Sequence, residues 1–305
     1  MESGYDMKKI NRNIFVFVLI LFLVFHLVSC SSANSTVKDD VKKQLKYLMN
    51  QGYDYFNSGL LDKSCSTFES ALALAISIDD TDNIIINYLN LCDIYLKLNK
   101  IENAKTNLDM ALKISQKEKK EQYQPRIYYL YGRYFESIMD IENAINSYLK
   151  SINIAKKDED KTLALNALGL IYLKDKNFAE ALSLFNQAYS INKSKKIYNQ
   201  LSNNAYNLAL VHIELKDYEK ALNYVKEALE YDKLIENSLN ILEDFKLLAK
   251  IYEYLNKIED AIYYINKAIN LASIIDKSQV GALLQELERL KLNYAFKQIF
   301  INYII

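Results

Sequence analysis

A small side chain recurs along this chain at a nearly fixed interval, and that recurrence limits what the chain can become. Ser64, Ala104, Ala144, Ala181, Ala221 and Ala261 are separated by 40, 40, 37, 40 and 40 residues. A second series, Gly52, Cys92, Gly132, Gly169, Ala209 and Ala249, repeats the same gaps. Around each position apolar residues fall at helical spacing. Between residues 165 and 191, Leu165, Leu168, Gly169 and Tyr172 make one stripe, and Phe178, Ala181, Phe185 and Ala188 make another. Asp175, Lys176 and Asn177 break the pattern between them. Each unit is therefore a pair of helices, A and B. A unit of this size cannot bury its apolar faces alone, so the six must stack on one another.

The large residues keep the same register. Three residues after the small position of helix A stand Tyr55, Tyr95, Phe135, Tyr172, His212 and Tyr252. Helix B carries Phe68, Leu108, Tyr148, Phe185, Val225 and Ile265, followed by Ala71, Ala111, Ser151, Ala188, Ala228 and Ala268. A Gly or Ala in one helix lets its partner approach closely, and the large neighbour fills the space beside it. One proline and six glycines in 305 residues suit a long helical chain and leave little room for β structure.

At these residues the chain resembles the tetratricopeptide repeat (TPR) family, whose pattern runs large–x2–Leu–Gly–x2–Tyr, then Ala, then Phe or Tyr, then Ala. The resemblance implies an all-α, right-handed solenoid of antiparallel helix pairs. Six repeats would occupy residues 41–274, with a capping helix over 275–305. Two departures matter. The period is 40 where the family has about 34, so either the helices or the turns are longer. The proline that often closes a repeat is missing. Turn chemistry agrees with the register: Gly59, Asn99 and Asn256 accept a left-handed backbone between A and B helices. Pro125 sits where the third A helix should start, a position that needs no amide hydrogen. Polar links, Asp79 to Asp82, Lys117 to Glu121 and Lys156 to Lys161, are expected between repeats. In the cap, Val280, Leu283, Leu284, Leu287, Leu290 and Tyr294 form the buried stripe, and the apolar tail 300–305 either folds back or meets a partner.

Ahead of the repeats stands an address. Lys8, Lys9 and Arg12 precede an unbroken apolar run from Ile14 to Phe25, too short to span a bilayer but suited to a signal-peptide core. Leu27-Val28-Ser29-Cys30 then resembles the lipobox of bacterial lipoproteins. The resemblance implies cleavage after residue 29, lipidation of Cys30, and residues 30–40 as a tether. Acyl chains contribute about 0.8 kcal/mol per buried methylene, enough for stable anchoring when two or three are present. Ser32, in place of the aspartate that retains some lipoproteins at the inner membrane, favours the outer membrane.

No catalytic constellation accompanies this. Histidine occurs only as His26 and His212, and His212 fills the slot that Tyr or Phe fills elsewhere. Cys65 and Cys92 read as core thiols. The chain has no phosphate loop, HExxH, CxxC or GxSxG. Acidic runs such as Asp158-Glu159-Asp160 fall in expected turns. With 38 basic and 38 acidic residues, no net field draws in nucleic acid. The expectation is a protein without enzymatic activity, cofactor or metal.

What remains is a groove. In TPR proteins the A helices line the concave side, through stripe positions 2, 5, 9 and 12. Carried over to the middle of this chain, the stripe holds Arg126, Tyr129, Arg133 and Glu136, then Leu163, Asn166, Leu170 and Leu173, then Asn203, Tyr206, Leu210 and Ile213. The candidate ligand-binding set is Arg126, Tyr129, Arg133, Asn166, Leu170, Leu173, Tyr206, Leu210 and Ile213. Apolar and aromatic residues beside two arginines suit a protein or peptide ligand with apolar anchors and an acidic group. The lysine and asparagine clamp that other TPR domains use on a C-terminal carboxylate is not reproduced. The expected function is a membrane-anchored scaffold for cell-envelope assembly. The alternative is a surface-exposed lipoprotein that binds host or environmental molecules.

Overall fold

The computed structural model describes residues 39–304, with side chains through residue 295. Lipidation of Cys30 and the signal segment lie outside the described residues. Thirteen α-helices, joined by short links, make up the described chain, with no strand among them. The chain divides into two compact units, up to Lys120 and from Glu121. In the first, α1 is described over 39–57, followed by α2 (Leu61–Ser77), α3 (Thr81–Lys97) and α4 (Ile101–Lys117). The second contains α5 (Gln124–Ser137), α6 (Ile141–Ile154), α7 (Asp158–Lys174), α8 (Phe178–Lys195) and α9 (Tyr198–Glu214). It continues through α10 (Tyr218–Leu234), α11 (Ser238–Tyr254), α12 (Ile258–Ile275) and α13 (Val280–Ile304).

The long period lies in the helices. Most run 17 residues and are separated by three-residue turns, so helix, turn, helix and turn together give 40. The turns are not extended. The single gap of 37 comes from α6, which has 14 residues. Pro125 sits in the first turn of α5, as its φ requires. Asp158, Glu159 and Asp160 prove to be the first turn of α7 rather than a link. There their charges face the positive end of the helix dipole.

One turn recurs throughout. Its middle residue is left-handed at Gly59, Asp79, Asn99, Lys119, Met139, Lys176, Lys196, Lys216, Glu236 and Asn256. The next amide reaches back to a carbonyl five residues earlier: Lys100 N donates to Tyr95 O at 2.8 Å, and Asp217 N to His212 O at 2.8 Å. This satisfies carbonyls that the helix end would otherwise leave open. That same residue begins the next helix. The side chains of Asp80, Asp140, Asp217 and Asn237 each accept from the amide three residues on. One residue thus closes one helix and caps another.

Packing within each hairpin follows the small–large register. A Cβ on Gly52 would lie 2.8 Å from the Phe68 ring, and one on Gly169 would lie 2.6 Å from Phe185. Gly132 meets Tyr148 in the same way. Where helix A carries Cys92, Ala209 or Ala249, helix B offers Leu108, Val225 or Ile265. Glycine is thus matched to an aromatic ring, and a small side chain to an aliphatic one. Buried serines add hydrogen bonds: Ser64 Oγ donates to Gly52 O, and Ser151 Oγ to Pro125 O, each at 2.8 Å.

The C-terminal helix α13 caps the second unit by burying Leu283, Leu287 and Leu290 against the hydrophobic cluster of α11 and α12. Leu284 faces solvent instead. Arg289 clamps Glu253 with two bonds of 2.6 Å. The side chains of the apolar tail lie outside the described residues.

Candidate functional site

In the second unit the A helices α5, α7 and α9 lie side by side, α5 touching α7 and α7 touching α9. Their shared face holds a groove of about 310 Å³. Helix α5 contributes Tyr129, Arg133 and Glu136; α7 contributes Leu163, Asn166, Ala167 and Leu170; α9 contributes Gln200, Asn203, Tyr206 and Asn207. Tyr148 of α6 forms part of the floor. Its hydroxyl donates to Glu136 Oε2 at 2.5 Å, and burial beside that carboxylate pushes the phenol pKa far up.

The amides are held in place from behind. Asn192 Nδ2 donates to Asn204 Oδ1 at 2.7 Å, and Asn204 Nδ2 donates to Asn166 Oδ1 at 2.6 Å. Asn166 is thereby fixed as an acceptor on its oxygen, which leaves its NH₂ to donate elsewhere. Thr162 Oγ1 donates to Gln200 Oε1 and fixes that amide in the same sense. The groove is preorganised, lined by amides, and flanked by two phenols and a guanidinium.

Of the nine residues expected from the stripe, five meet here: Tyr129, Arg133, Asn166, Leu170 and Tyr206. The other four do not line the groove. Leu173 packs against the Ala181–Phe185 cluster and Leu210 against the Ala209 cluster, while Ile213 is 8% exposed within the core. At position 12, Leu173 of α7 and Ile213 of α9 are claimed by helix packing, whereas Glu136 of α5 lines the groove. Arg126 lies 5.7 Å from the Tyr129 ring centre. Its charge also faces Asp160, whose carboxyl pKa is raised by burial and held back chiefly by that charge. Ala167, Gln200 and Asn207 were not in the stripe. Ala167 and Asn207 sit one residue from stripe positions and Gln200 sits three before Asn203, and a groove wider and longer than the stripe includes them.

His212 behaves as a core residue. It is 9% exposed, stacks on Tyr224 at 5.5 Å, and burial lowers its pKa. Cys65 and Cys92 are both buried, and burial raises the Cys65 thiol pKa, which makes it a poor nucleophile. No cluster able to hold a metal occurs among the described residues. Among them, too, no helix is long and apolar enough to cross a membrane.

Next to the groove lies a second cavity of about 170 Å³, sharing Asn203 and Tyr206 with it. Ser202, Asp232, Asn240, Glu243 and Asp244 complete its wall. No motif in the sequence marks it. Asp232 and Asp244 are each 1% exposed. Asp232 accepts from Ser202 Oγ and from Asn240 Nδ2, the latter at 3.1 Å. Asp244 shares a side-chain hydrogen bond with Asp232 and has no other hydrogen-bond partner. Burial and the facing Asp232 push the Asp244 pKa up to about 8.

Helical hairpins in a fixed register, a glycine–aromatic seam and a groove on successive A helices define a stacked-repeat protein. Tetratricopeptide repeat models match residues 87–118, 125–158, 162–195 and 201–273. The chain belongs to the tetratricopeptide repeat family. No curated protein matches it in sequence. Solved structures share the fold at low identity. BtubC from P. vanneervenii is 15% identical over 71% of this chain and 92% of its own, with a TM-score of 0.59. A Rap protein complexed with competence and sporulation factor is 14% identical over 85% of this chain and 74% of its own, at 0.58. PilW, a type IV pilus biogenesis factor, is 15% identical over 79% of this chain and 98% of its own, at 0.54.

Proposed function

We propose that this protein is a non-catalytic scaffold of the bacterial cell envelope, anchored by lipid on Cys30, which holds a peptide segment of a protein partner in the groove of α5, α7 and α9. One observation carries the reading: the groove wall presents side-chain amides from successive helices, two of them locked in orientation from behind. An extended peptide exposes one donor and one acceptor per residue, and amides answer both. Tyr129, Tyr206 and Leu170 offer apolar contact for alternate side chains, and Arg133 supplies a charge for an acidic one. A membrane anchor raises the local concentration of scaffold around an envelope partner. The Rap protein solved with a bound factor and the pilus biogenesis factor PilW support the analogy at the level of fold.

A photo-crosslinking residue placed at Asn207 of the full chain, expressed with its own leader, tests this. A discrete protein adduct from position 207, and none from Tyr263, which is 54% exposed on α12, is the expected outcome. No adduct at 207, or the same adducts from both positions, refutes the groove as the binding site.

A further inference from the structure

The side-chain amides behind the groove form a chain with a direction. It starts at Asn192 on α8, whose NH₂ donates to Asn204 on α9, and Asn204 in turn donates to Asn166 Oδ1 on α7. Asn192 and Asn204 are both fully buried. The direction follows from what the buried end leaves over. As it stands, one carbonyl oxygen, Asn192 Oδ1, goes without a donor. Run backwards, the chain would leave the Asn192 NH₂ with neither proton bonded, and orphaned N–H groups in a core are the rarer defect. Asn166 therefore accepts on its oxygen, and its NH₂, on the other arm of the planar amide, is left for the groove. Its neighbours in the wall share this bias. Arg133 only donates, and burial pushes the Tyr206 phenol up to about 12, so it keeps its proton. At the register position of Asn204, α5 carries Ile127, α7 carries Ala164 and α11 carries Asp244. Of the A helices in the second unit, only α9 has an amide there.

We propose that Asn192 and Asn204, out of the ligand's reach, set the polarity of Asn166, so that at this point the groove takes an oxygen acceptor of the bound peptide and turns away an N–H donor. The inference rests on the peptide reading above. Two sources supply such an oxygen, a main-chain carbonyl or a carboxylate. A donor placed there would meet the Asn166 NH₂ with no acceptor for either group, and each unpaired group costs its desolvation. Along one edge of an extended peptide N–H and C=O groups alternate, so one donor of fixed sense sets the register of the strand along the wall. Asn204 is thus a positioning residue: it touches no ligand and acts through Asn166.

Nuclear magnetic resonance of the full chain tests the direction without any ligand. The side-chain NH₂ groups of Asn192 and Asn204 should exchange slowly with D₂O and that of Asn166 readily; a protected Asn166 NH₂ overturns the proposal. A second arm uses peptides selected on the full chain from a random display library. Changing one main-chain carbonyl to a thiocarbonyl, or one acidic side chain to an apolar one of the same length, should weaken binding about fivefold on the wild type and leave Asn166→Leu unaffected. Coupling of the first change identifies a carbonyl as the source, and of the second a carboxylate. The variant Asn192→Leu/Asn204→Leu removes both buried partners together and frees Asn166 to turn, so the same change should cost less than about twofold there. The full loss in that variant, coupling of Asn166 to an N-methylated position instead, or no coupling to Asn166 at all overturns the proposal. Failure to select any peptide counts against the groove reading, while the exchange measurement still decides the amide chain.

Discussion

Replacing Gly169 by alanine tests the claim that ring size sets the spacing of each hairpin. The new methyl would lie 2.6 Å from Phe185 Cε1 and 2.9 Å from Cδ1 and Cζ. Phe185 is fully buried, so its ring has nowhere to retreat. Overpacking of this kind costs about 1–3 kcal/mol, against a gain of about 1 kcal/mol for alanine over glycine in a helix. A net loss of up to about 2 kcal/mol should appear as a lower urea midpoint at unchanged slope, followed by far-UV circular dichroism. Phe185→Leu alone leaves a cavity and costs on the order of 1–2 kcal/mol. The double variant reproduces the pairing of Cys92 with Leu108 and Ala249 with Ile265. It should return to within about 1 kcal/mol of the wild type, a coupling well outside additivity. Strictly additive losses would refute the matched-volume account of the seam.

Four further outcomes follow from particular residues. Met139 is left-handed at φ 62° and 81% exposed, so Met139→Gly should raise the thermal midpoint, worth about 1 kcal/mol of relieved strain. Asp244 is protonated in the folded state up to about pH 8 but ionised from about pH 4 upward when unfolded, so between these limits the folded state binds more protons. Stability therefore falls as pH rises through that window, by at most about 1.4 kcal/mol per unit, and the wild-type minus Asp244→Asn difference in denaturant midpoint should show that slope. His212 works in the opposite sense, since burial lowers its pKa and stability is lost as pH falls below the ordinary histidine value. Cys30→Ser should abolish palmitate labelling and release the protein from membranes. Protease digestion of intact against permeabilised cells then decides between an interior scaffold and the surface-exposed alternative.

The repeat was legible because packing demanded the same small residue at every crossing, as at Ala104 and Ala181. The turns were only partly legible. Gly59, Asn99 and Asn256 announced a left-handed backbone, but Met139, Lys216 and Glu236 adopt it without a residue that prefers it. There the fixed span between two packed helices, rather than local propensity, sets the conformation. In the groove, five of the nine expected residues were readable from stripe positions. Leu173 and Ile213 were not, because a leucine on a shared face reads alike whether it meets a ligand or a neighbouring helix. The acidic cavity left a signal that the stripe passed over. Asn87, Ala164, Asn204 and Asp244 fall at one register position, and the last is a charged residue in a buried slot.

Ten of the twelve links between described helices close with the same backward amide bond, spaced twenty residues apart wherever the metre is unbroken. Each such turn stops one helix and starts the next with the same three residues, so it does not depend on which helices it joins. A duplication or loss of forty residues cut at any two equivalent turns would rejoin helix to helix with both ends intact. The number of rungs is free to drift through recombination while their spacing is held. Residues 155–157, where Ala155 is extended and the backward bond is missing, mark the place inside the array where such an exchange would leave a helix without its stop.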